Sequence, residues 1–136
     1  MLRGEPDAVL YRDAIDEAMI RRMSAGTFIE VAIVVDANRD PILSRRLDQL
    51  LEEADILIEP VTVEQARIAR EAHRDFGRGS GHPARLNFGD CFAYALARST
   101  GEPLLFKGLD FAQTDLTPAL PPANRTDGPE LPPPAP

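Results

Sequence analysis

Three acidic residues interrupt segments that are otherwise apolar, and they are the side chains best suited to chemistry in this chain. Glu30 lies within TFIEVAIVV, Asp90 within NFGDCFAYALA, and Asp110 just after LLFKG. A buried carboxylate without a partner is costly, so each needs a cation, a hydrogen-bond donor or solvent. If they converge at the strand ends of an α/β sheet, they offer hard oxygen ligands for Mg²⁺ or Mn²⁺. Such a site activates water and stabilises charge on a phosphodiester undergoing in-line displacement.

Each of the three also has a structural explanation. With Asn87 as N-cap, Asp90 falls at the third helical position, where a carboxylate caps the helix and meets its dipole. Glu30 could pair with Arg21 or Arg22, and Asp110 could be an ordinary turn residue. The spacing alone does not decide between these readings. Cysteine chemistry is the weaker candidate. Cys91 precedes FAYALA and belongs on a helix interior as a small hydrophobe. Cys91, His73 and His82 also lack any C-x-x-C or H-x₃-H pairing of the kind zinc sites use.

The elements that must position these acids alternate between helical and extended patterns. Residues 6–20 have a helical stripe, with Pro6 suited to the first turn. RRMSA is a short extended stretch, and GTFIEVAIVVDAN, apolar nearly all round, is expected to be a buried helix. DPILSRRLDQLLEEA is amphipathic, DILIEPV a strand, and TVEQARIAREAHRDF a helix opened by a Thr62–Gln65 capping pattern. GRGSGHPAR is expected to be a flexible, basic loop. The helix carrying Asp90 ends near Gly101. PLLFKG is expected to be a second apolar strand, and LDFAQTDL closes the ordered part. Helices separating short strands indicate an α/β domain with a mainly parallel sheet. A sheet with so few strands gives five helices little to pack against.

The remainder of the chain narrows the class. From Thr117 on, eight of the 13 prolines are concentrated in a segment without aromatics. Proline cannot donate to a ladder, so residues 118–136 are expected to be a disordered tail after a domain spanning 1–117. The formal net charge is −7, from 22 acids against 15 bases. This argues against broad phosphate-driven nucleic-acid binding, but not against a nuclease whose metal-binding acids contribute negative charge. One cysteine cannot form an internal disulfide. No apolar run approaches the roughly 20 residues that span a bilayer, and no signal-peptide core is visible, so a cytoplasmic location is expected.

LNFGDCFAYALARSTGEPLLFKGLDFAQTDL closely resembles the C-terminal half of PIN-domain ribonucleases of the VapC toxin group, and MSAGTFIEVAIVVDAN resembles their second-helix segment. The resemblance covers roughly residues 3 to 117 and implies a PIN-like α/β/α sandwich. It further implies a Mg²⁺-dependent acidic site (Mn²⁺ being possible), endonucleolytic cleavage of RNA, neutralisation by a cognate VapB-like antitoxin, and a homodimer. It assigns Glu30, Asp90 and Asp110 as metal-holding catalytic acids, with Asp115 as an auxiliary acid. Asn87 and Lys107 become supporting residues, and Arg74, Arg78, Arg85 and Lys107 candidate RNA contacts. Family members also begin with a strand ending in an acid, and this sequence opens directly on the first helix, so that strand is missing from the expected sheet. A start codon assigned too far downstream is the favoured explanation over a degraded gene. The alternative function is a catalytically inactive PIN remnant that binds an antitoxin or acts as a regulator.

Overall fold

Ser24, Asp40, Thr62 and Asn87 each accept a hydrogen bond from the first turn of a helix, and these four caps frame the fold. The structure is a computed structural model and describes residues 8–120. It contains α1 (Ala8–Glu17), β1 (Arg22–Ser24), α2 (Ala25–Asp36), α3 (Pro41–Glu53), β2 (Leu57–Glu59), α4 (Val63–Phe76) and α5 (Phe88–Thr100). A 3₁₀ turn, Phe111–Gln113, follows α5. Strands β1 and β2 pair in parallel, with Arg22 opposite Leu57 and Ser24 opposite Glu59. Parallel strands need a long crossover connection, and here α2 and α3 supply it. This is an α/β fold, as the alternating sequence pattern requires.

The core sits under the α4–α5 pair. Ala72, Ala84, Leu86, Cys91, Tyr94 and Phe111 form its buried cluster, with Ile68, Phe76 and Phe106 packed against it. Helix α5 contributes Cys91 and Tyr94 to this cluster and also buries Ala95, Leu96 and Ala97. Its end is set by Gly101 at φ 72°, the left-handed conformation in which glycine terminates helices. The basic loop after α4 is anchored at both ends, not free as expected. Arg78 N–H donates to Leu86 O and Leu86 N–H to Phe76 O, which tucks Ala84 and Leu86 completely inside.

Three further expectations change. Helix α2 is apolar nearly all round, yet Ile29, Ile33 and Val34 are more than half exposed, and only Val35 is buried. Composition reports affinity for a nonpolar neighbour, not whether the neighbour is present. PLLFKG forms no strand. Leu104 alone makes a bridge, using its N–H on Thr117 and its C=O on Ala119, while Pro103 has no N–H to offer. Between β1 and this segment lies a largely apolar cavity of about 580 Å³, lined by Met23, Thr27, Ala93, Leu96 and Leu105 among others. The bridge to Leu104 also carries the folded part through Ala119, two residues past the expected boundary. The rest of the expected tail, and Pro6 at the start of the first helix, lie outside the described residues.

Candidate active site

The first turn of α5 fixes Asp90. Asn87 Oδ1 accepts from Asp90 N–H at 2.8 Å, and Asp90 Oδ2 accepts from Asn87 N–H at 3.0 Å. This is a complete reciprocal capping box, so the structural explanation of Asp90 holds. It does not exhaust the side chain. Asp90 is half-buried, and Oδ1 has no hydrogen-bond partner among the described residues. By contrast, the capping pattern at α4 is half made: Thr62 accepts from Gln65 N–H, while Gln65 Oε1 is buried without a partner.

Glu30 comes to the same place from α2. Its carboxylate lies directly over Gly89, the residue before Asp90, where a Cβ would overlap it. The two arginines that could have explained Glu30 are engaged elsewhere. Arg21 donates to the backbone oxygens of Ala54 and Asp16. Arg22 pairs with Glu59 at 2.6 Å and Glu102 at 3.1 Å, and those hydrogen bonds raise its already high pKa. Glu30 therefore has no ion pair among the described residues, and it rests over Gly89 in the first turn of α5, the positive end of that helix.

Asp110 precedes Phe111 and Asp90 precedes Cys91, and Phe111 and Cys91 belong to one core cluster. Asp110 is exposed and makes no capping hydrogen bond. Asp115 is used differently. Its Oδ1 accepts from Tyr94 Oη at 2.7 Å and its Oδ2 lies 3.4 Å from Arg98. It borders a polar cleft with Glu64, Glu71 and Asp75 on the α4 side. Among the described residues, no three Asp, Glu, His or Cys side chains are grouped closely enough to hold a metal ion. The structure thus seats Glu30 on the backbone of Gly89, the residue before Asp90, and leaves Asp115 committed to Tyr94 and Arg98. In donor chemistry, the free carboxylate oxygens of Glu30 and Asp90 suit a strongly hydrated Mg²⁺, which takes one or two protein oxygens and keeps several waters.

Cys91 is not built for nucleophilic work. Burial, and secondarily the Asp90 charge, push its thiol up to about 11, and Sγ donates to Asn87 O. His82 is occupied as well, since Nδ1 accepts from Ala84 N–H and the ring packs edge-on to Phe76. Of the candidate RNA contacts, Arg74, Arg78, Arg85 and Lys107 are all exposed. Arg74 is paired with the adjacent Asp75, which holds that carboxyl below its usual range. Arg85 has φ 50°, an uncommon conformation for a residue with a Cβ, and it projects from the loop just before Leu86.

Sequence reasoning missed Gly89. The available signal was a glycine in the first turn of a helix where alanine has the better propensity.

Known proteins resemble this chain over most of its length. The model of the PIN domain family matches residues 1–116. The chain is 58% identical over 120 residues to VapC ribonuclease Mb0625 of Mycobacterium bovis, covering 88% of this chain and 90% of that one. It is 47% identical to Ribonuclease VapC42 of Mycobacterium tuberculosis (88% and 91% covered) and 45% identical to Ribonuclease VapC30 of the same species (89% and 92%).

Proposed function

The chain belongs to the PIN domain family, and from that premise we propose that it is a metal-dependent endoribonuclease, the toxin of a VapBC-type pair. One observation carries the reading. The Glu30 carboxylate, without an ion pair among the described residues, is seated on the Gly89 backbone next to Asp90 at the N-terminus of α5. Relatives named ribonucleases, at 45–58% identity over most of the chain, support the substrate class.

Glu30 and Asp90 would hold Mg²⁺, with Mn²⁺ as the alternative, because both offer hard anionic oxygens. The bound ion would supply positive charge that offsets the phosphodiester's own and acidifies water. The capping box holds Asp90 at a fixed orientation, so its free oxygen needs no reorganisation during the reaction. Asp110 joins from the segment after the Leu104 bridge as the third acid, while Asp115 braces Tyr94 and Arg98 and acts at most indirectly. Arg78, Arg85 and Lys107 would contact the RNA backbone; with a net charge of −7, RNA attraction must be local to such a patch. Arg74 contributes less, because Asp75 already pairs with it. The exposed apolar row of Ile29, Ile33 and Val34 on α2 is suited to a VapB-like antitoxin or to a second copy in a homodimer. We place the protein in the cytoplasm because the toxin reading requires access to RNA; separately, no described helix is long and apolar enough to cross a membrane.

A second reading, a catalytically inactive PIN protein that binds an antitoxin-like partner, is favoured by the lack of a three-ligand cluster among the described residues. Purified protein incubated with structured RNA separates the two. The ribonuclease reading expects cleavage that requires added Mg²⁺ or Mn²⁺ and stops with EDTA. Cleavage indifferent to EDTA contradicts the metal role, and no cleavage with either ion supports the inactive form.

A further inference from the structure

Gly89 has no backbone reason to be glycine. It lies in the first turn of α5, and it is not among the residues with positive φ, so alanine would suit its conformation better. It is buried, and the space its Cβ would fill is taken by the Glu30 carboxylate. One turn along the same helix pair the relationship is reversed. A Cβ on Gly26 of α2 would come within 2.5 Å of the Phe92 ring of α5. Gly26 and Glu30 share one face of α2, and Gly89 and Phe92 share one face of α5. Each helix therefore contributes one glycine and one side chain that presses into the other's gap.

We infer that Gly89 is a positioning residue for the proposed nuclease centre: its missing Cβ forms the seat that holds the Glu30 carboxylate beside Asp90. The Gly26–Phe92 contact fixes the register of α2 against α5, and the Gly89 seat then sets where the Glu30 carboxylate comes to rest. The seat gives a carboxylate on an exposed stretch of α2, without an ion pair among the described residues, a defined place to rest. The placement rests on the nuclease reading only for its catalytic consequence; the seat itself is a property of the metal-free protein.

The test is Gly89→Ala in the full chain, with three measurements. Its thermal midpoint should equal or exceed that of the unaltered protein. The ¹³C signal of the Glu30 side-chain carboxyl in metal-free protein, assigned with Glu30→Gln, should move. The Mg²⁺ concentration giving half-maximal RNA cleavage should rise about 10- to 100-fold, the range seen when groups that orient metal ligands are altered. Adding Glu30→Asp, shorter by one methylene, should recover part of that loss. An unmoved Glu30 signal with unchanged Mg²⁺ dependence overturns the inference. If the unaltered chain does not cleave RNA, the nuclease reading fails and the carboxyl signal alone decides the seat. If Gly89→Ala does not fold, Glu30→Ala in the same chain should restore folding, and a double variant that stays unfolded also overturns it.

Discussion

The two sides of this molecule are held together unequally. On the α4–α5 side, Ala84 and Leu86 are fully buried and four aromatic rings, Phe76, Tyr94, Phe106 and Phe111, interlock around them. On the side formed by α1, the two strands and α2, large apolar residues such as Leu57, Ile29 and Ile33 are more than half exposed, beside the cavity of about 580 Å³. There, Arg22 ties β1, β2 and Glu102 together through two ion pairs, where the other side relies on packing. The candidate site sits on the seam. Asp90 rides on the tightly packed helix and is locked by its cap, whereas Glu30 comes from the loosely covered helix and depends on the Gly89 seat. In the proposed centre a rigid element and a weakly supported one thus meet, so anything that moves α2 moves one of the two proposed acids.

The contrast can be broken most forcefully at Leu86. Leu86→Ala removes a fully buried side chain and should cost about 2–5 kcal/mol of unfolding free energy in denaturant titration. A loss much below that would mean the α4–α5 core is not the stability centre. Cys91 gives a smaller effect in the same core. Its folded-state thiol titrates near 11 against an ordinary 9.0, so the unfolded thiol ionises first as pH rises. The stabilisation from keeping it neutral is complete below pH 9 and lost by pH 11. Comparing the protein with Cys91→Ala isolates that component, of order 2 kcal/mol, from the titration of Tyr94, which burial also raises. Cys91→Ala should leave cleavage intact, and a large drop in rate at unchanged stability would reopen thiol chemistry. The smallest effect belongs to the thin side. Ile33→Ser should change monomer stability by no more than about 0.5 kcal/mol, since Ile33 is 63% exposed. A larger loss in dilute protein would show that this face is covered in solution.

Local features were legible in the sequence, and non-local ones were not. The N-x-x-D spacing of Asn87 and Asp90 specifies a capping box because both partners lie within one turn. The two strands and the helices fall close to where periodicity and caps place them. Helix α2 was misjudged because an all-apolar pattern does not tell whether the facing surface is supplied. PLLFKG has the composition of a strand, but a ladder also needs a neighbour, and only Leu104 has one among the described residues. Glu30 and Asp90 each stood out as acids in apolar segments, yet only packing shows that Glu30 rests on Gly89. Asp115 also stood out by resemblance, and its hydrogen bond with Tyr94 directs it toward a different cleft.

In the proposed mechanism Glu30 and Asp90 act as one carboxylate pair in RNA cleavage. Its most direct test is the Mg²⁺-dependent cleavage rate of Asp90→Asn beside its thermal midpoint. Asparagine preserves the size and a capping oxygen, so stability should fall by no more than about 1 kcal/mol. The charge is lost, so cleavage should fall by about 10²-fold or more, and combining it with Glu30→Gln should add little, because residues that act as a unit are non-additive. An Asp90→Asn protein that cleaves RNA at an unchanged rate would show that Asp90 is not part of the cleavage centre.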